Sequence, residues 1–72
     1  MKFAIIECVN GNYFIRAEDI IALENAISQY HARCQALWNA SDVITGCVMI
    51  VDEQLERVGG YREIIKHEQT QE

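Results

Sequence analysis

His31 and Cys34 stand three residues apart in a segment with helical periodicity, so both side chains fall on one side of that helix. An imidazole beside a thiolate is half of a zinc-type ligand set. It is also the beginning of a nucleophile–base dyad. Cys8 adds a third sulfur if its strand faces the same core. Against both readings, Cys34 lies within the apolar stripe, where cysteine packs as a small hydrophobe, and His31 lies at the stripe's edge. No C-x-x-C pair, glycine-rich loop or third orienting group accompanies them. Cys47 has no activating base in view. The expectation is no catalytic residue, no metal ligand set and no cofactor, hence no enzyme.

The remaining polar groups read as ordinary surface chemistry. Glu7 falls on the outer face of its hairpin, opposite Phe14 and diagonal to Arg16, as a cross-strand pair would. Asp52 and Glu53 read as turn residues. Arg57, Arg62 and Lys66 surround Tyr61, a pattern that can touch nucleic acid. Here Glu56, Glu63 and Glu68 dilute it. Trp38, the one tryptophan, reads as a packing residue at the end of the helix.

The elements that position these groups follow from pattern. Lys2–Val9 and Asn12–Ala17 are two strands joined by Asn10-Gly11, a strong two-residue hairpin signal because both positions take positive φ. The register then pairs Cys8 with Tyr13, Glu7 with Phe14, Ile6 with Ile15, Ile5 with Arg16 and Ala4 with Ala17. Alternation puts Ala4, Ile6, Cys8, Tyr13, Ile15 and Ala17 on an uncharged face, the expected core. Phe3, Ile5, Glu7, Phe14 and Arg16 form the outer face, which is apolar for a solvated one. A helix spans about Asp19 to Asn39, with Ile20, Leu23, Ile27, Tyr30, Cys34 and Leu37 as its stripe. Asp19 is its N-cap, although a start as late as Ala22 fits too. Val43–Val51 and Arg57–Ile65 are the third and fourth strands. Gly59-Gly60 mark a bulge that leaves the inward face of this second hairpin open. The architecture is α+β: ββαββ, an antiparallel sheet with one helix packed on one face. The strand order is not readable. On this arrangement Cys8 and Cys34 meet across the sheet–helix interface as free thiols.

Seventy-two residues make one domain, expected over residues 1–66 with a polar frayed tail at 67–72. So small a core usually needs a disulfide, a metal or a partner subunit. The three cysteines are an odd number and suggest reduced thiols. The longest apolar run, Cys47 to Val51, is five residues, against the ~20 of a membrane span. With no signal-peptide pattern, a cytoplasmic protein with no membrane partner is expected. The net charge of −5 argues for solubility and against phosphate-backbone binding.

Asn10-Gly11-Asn12-Tyr13, Tyr30-His31 with Cys34 and Leu37-Trp38-Asn39, Val51-Asp52-Glu53-Gln54-Leu55, and Gly60-Tyr61-Arg62-Glu63 together give the chain a family likeness. It resembles small uncharacterised proteins encoded on conjugative transposons of gut Firmicutes, over nearly its whole length to about His67. The resemblance implies a mobile-element setting and brings no activity, cofactor or catalytic residue. The leading expectation is a non-enzymatic, self-associating protein-interaction module, a homodimer with Phe3, Ile5 and Phe14 as interface. An unidentified protein partner fits the same surface. The alternative is a nucleic-acid-associated or DNA-mimicking anti-defence accessory, for which the acids are too interleaved with bases.

Overall fold

The computed structural model describes residues 1–66. The chain runs β1 (Phe3–Val9), β2 (Asn12–Ile20), α1 (Leu23–Asn39), β3 (Thr45–Val51) and β4 (Arg57–Ile65). The strands form one antiparallel sheet in the order β2-β1-β3-β4. The helix packs on one face, so the α+β, ββαββ reading holds. The expected tail at 67–72 lies outside the described residues.

Asn10 and Gly11 take φ of 49° and 92°, as the tight β1–β2 turn demands. Asn10 also ties two connections together. Its Oδ1 accepts from the backbone N–H groups of Ile44 and Thr45, and its Nδ2 donates to the carbonyl of Asp42. Between β3 and β4, the Asp52 carboxylate accepts from the N–H groups of Gln54 and Glu56, a local turn that fixes the second hairpin.

Near the turn the first hairpin has the expected register: Cys8 with Tyr13, Glu7 with Phe14, Ile6 with Ile15. Beyond Ile6 it departs. Ile5 pairs with Ala17 and not with Arg16, so the Ala4–Ala17 pairing is lost as well. Arg16 is the extra residue of a bulge, and bulges re-aim side chains. A second irregularity follows at Asp19, whose φ is +60°. Asp19 therefore belongs to β2, which runs to Ile20, and is not the helix N-cap. That position is Ala22, which offers no side-chain cap.

The core lies on the opposite face of the first hairpin from the one expected. The helix covers the face of Ile5 and Glu7, which are both fully buried, together with Val48, Ile50 and Ile64. Ala26, Tyr30, Cys34 and Leu37 are the helical residues buried against it. Tyr13 and Ile15, expected inside, are 71% and 65% exposed. The reason lies in the second hairpin. Val48 and Ile50 pair with Glu7 and Ile5, so these two β-branched side chains of β3 point to that side. β4 adds Ile64 there, and Gly60 lies directly under the Tyr30 ring. The candidate interface is corrected accordingly. Ile5 is core, Phe3 is partly buried against it, and Phe14 is a half-exposed residue beside the helix. The expected meeting of Cys8 with Cys34 fails for the same reason: Cys34 faces the sheet, while Cys8 lies on the far side.

Candidate functional site

With the helix on one side, the other side of the sheet is left open by the described residues. Four strands contribute one residue each to a row across its middle: Ile15, Ile6, Met49 and Tyr61, each paired with the next. Ile15 and Tyr61 are exposed, and Ile6 and Met49 are half-buried. A second row runs Tyr13, Cys8, Cys47, Glu63. On β4 the open face carries a short ribbon of polar contacts. The Arg57 guanidinium sits 4.2 Å from the Tyr61 ring centre, and the Tyr61 hydroxyl donates to Glu63 Oε2 at 2.9 Å. That bond to an anion raises the Tyr61 pKa. Arg57 and Glu63 thus stand on either side of the apolar row with opposite charge.

Beneath the helix sits a charge with no exposure at all. Glu7 Oε1 accepts from Arg16 Nε at 2.7 Å, and Oε2 accepts from Arg33 Nε at 2.7 Å. An Arg33 terminal nitrogen also donates to Oε1 at 3.1 Å, making that contact bidentate. Burial alone would raise the Glu7 pKa, but the two guanidiniums outweigh it and hold the carboxyl below its usual range. Glu7 in turn raises the pKa of Arg33. The cross-strand pairing of Glu7 with Arg16 is the expected one, but the carboxylate is buried under the helix and is not a surface group. The hairpin pattern reveals the Arg16 half of the arrangement but not the second guanidinium, which comes from 26 residues away on the helix.

His31 and Cys34 do lie together. With Gln35, Trp38, Arg62 and Ile64 they line a shallow groove at the edge of the helix. The Cys34 thiol is buried, and burial pushes its pKa up, opposite to what a nucleophile or metal ligand needs. Cys8 is not near it but pairs with Cys47 across β1 and β3, where burial and the neighbouring Cys8 raise the Cys47 pKa. Among the described residues, no three His, Cys, Asp or Glu side chains are grouped to hold a metal ion. Nor is any helix long and apolar enough to cross a membrane.

Arg57, Arg62 and Lys66 do not make one patch. Arg57 is on the open face. Arg62 lines the helix-side groove, and Lys66 Nζ donates to the carbonyl of Ala40. Trp38 is 59% exposed and not a core residue. No known protein family, curated protein or solved structure matches the chain.

Proposed function

We propose that the chain is a non-enzymatic interaction module that associates with a second copy of itself through the open sheet face. The observation that carries the reading is the row Ile15–Ile6–Met49–Tyr61, exposed at its two ends, half-buried between them and flanked on β4 by Arg57 and Glu63. Contiguous apolar surface of this kind usually marks an interface. A two-fold axis along the row lays it on the same row of the second copy. It also exchanges the two ends of β4, so that Arg57 meets Glu63 of the other chain twice. Such self-complementarity is what a closed dimer requires. Four strands about 4.8 Å apart offer less than the ~800 Å² per partner of a standard interface. Association is therefore expected in the micromolar range and to depend on concentration. An accessory role on a mobile element is the setting that the sequence resemblance suggests for it.

Sedimentation velocity across the micromolar range tests the reading. Ile15→Asp should weaken association at least tenfold, by the loss of about 1.4 kcal/mol or more. Phe14→Asp, on the helix side, should leave it unchanged. Arg57→Glu should weaken it, and adding Glu63→Arg should restore it. A chain that stays monomeric throughout, or a charge swap that does not restore association, would overturn the two-fold arrangement.

A further inference from the structure

On the other side of the sheet, away from that face, the helix leaves part of β2 uncovered, because it lies mainly over β3 and β4. The result is a cleft of about 160 Å³ between the helix and β2, lined by Ile5, Arg16, Ala17, Gln29, Ala32 and Arg33. We infer that this cleft binds a small monocarboxylate with a short alkyl chain. Arg16 and Arg33 border it, and both are held in place from below by the buried Glu7. Two guanidiniums against one carboxylate leave the group with one positive charge. A single anion balances it, whereas a dianion would overshoot.

The donors for such an anion are present and already oriented. Each guanidinium has five N–H groups. Arg16 gives one and Arg33 gives two to Glu7. Among the described residues, no further protein acceptor takes the rest. The two side chains line the cleft and remain 39% and 36% exposed, so a ligand in water can reach them. Fixing a guanidinium before a ligand arrives lowers the entropy cost of binding. Ile5, Ala17 and Ala32 make the wall beside the charge apolar, which suits an alkyl tail. A ligand of six heavy atoms at roughly half the ceiling efficiency of very small ligands binds with a Kd on the order of a millimolar.

The test is a titration of the ¹⁵N-labelled protein with sodium butyrate, followed by the backbone amides and the arginine Nε resonances at constant ionic strength. Saturable shifts at Arg16 and Arg33 Nε and at the Ala17 and Ala32 amides are expected, with inorganic phosphate weaker by about tenfold. Ala32→Leu fills the cleft from an exposed helix position and leaves the Glu7 clamp intact. It should reduce butyrate binding about tenfold or more while the spectrum stays that of the folded protein. Shifts that do not saturate would overturn the inference. So would shifts spread equally over Arg57, Arg62 and Lys66, butyrate and phosphate binding alike, or Ala32→Leu binding like the natural chain.

Discussion

The helix-side face of the sheet holds Ile5, Val48, Ile50 and Ile64 together with one carboxylate. The open face holds Ile6, Ile15, Met49 and Tyr61 and no buried charge. By hydropathy of the first hairpin alone the open face is the better core. Selection is made by what the rest of the chain supplies. The helix-side face receives two guanidiniums for its charge and a glycine where Tyr30 must seat. Among the described residues, the open face receives neither a covering layer nor a reason to exclude one. A buried charge is tolerable when it is fully paired, and pairing depends on residues far away in sequence.

The largest effect should come from breaking that pairing. Glu7→Ala leaves two guanidiniums without their anion and costs about 3–5 kcal/mol. A domain this small rarely has more than about that to lose. The variant should therefore be largely unfolded by circular dichroism at 25 °C. Replacing Glu7, Arg16 and Arg33 together by Leu should keep the fold, at neutral or improved stability. pH adds a second check. Glu7 has its folded pKa depressed, so its stabilisation is fully present above the unfolded value of about 4.3 and is lost as pH falls through the depressed value. The triple-Leu protein should lack this acid limb. A Glu7→Ala protein as stable as the natural chain would show that the clamp does not select the face.

Next in size is the seat for the helix. A Cβ on Gly60 would stand 2.9 Å from Cε2 of Tyr30 and 3.0 Å from its Cζ. Gly60→Ala should cost about 1–3 kcal/mol by overpacking, read from urea denaturation midpoints. Much of that cost should vanish in a Tyr30→Leu background, as a double-mutant cycle would report for residues in direct contact. Equal cost in both backgrounds would mean that Gly60 serves the strand and not the helix.

What could be read from the sequence was what depends on near neighbours. The Asn10-Gly11 turn, the three pairings next to it, the helix end at Asn39 and the bounds of β4 all follow from local chemistry. The bulge at Arg16 has no glycine to announce it, and it moved the register. The adjacency of β1 and β3 is a long-range pairing with no local signal. Once β1 sits beside β3, the face of Val48 and Ile50 decides the face of Ile5 and Glu7. The choice of core face went wrong at that single step, since a one-face error puts Ile6 and Ile15 inside and Ile5 and Glu7 outside.

The smallest effect involves no loss of stability and reports on both faces at once. Cys34 is buried under the helix, whereas Cys8 and Cys47 are half-buried on the open face. A maleimide-type reagent should modify Cys8 and Cys47 in the native dilute protein and reach Cys34 only when the helix side opens. The raised Cys47 pKa lowers its thiolate fraction, so its rate should fall below that of an unperturbed thiol while remaining above that of Cys34. Both open-face thiols belong to the row next to Ile15–Ile6–Met49–Tyr61. If a second copy covers that row, their modification should slow as protein concentration rises, with Cys34 indifferent to it. In Ile15→Asp the concentration dependence should disappear. Cys34 reacting first would reverse the assignment of the two faces, and open-face rates independent of concentration would place self-association elsewhere on the molecule.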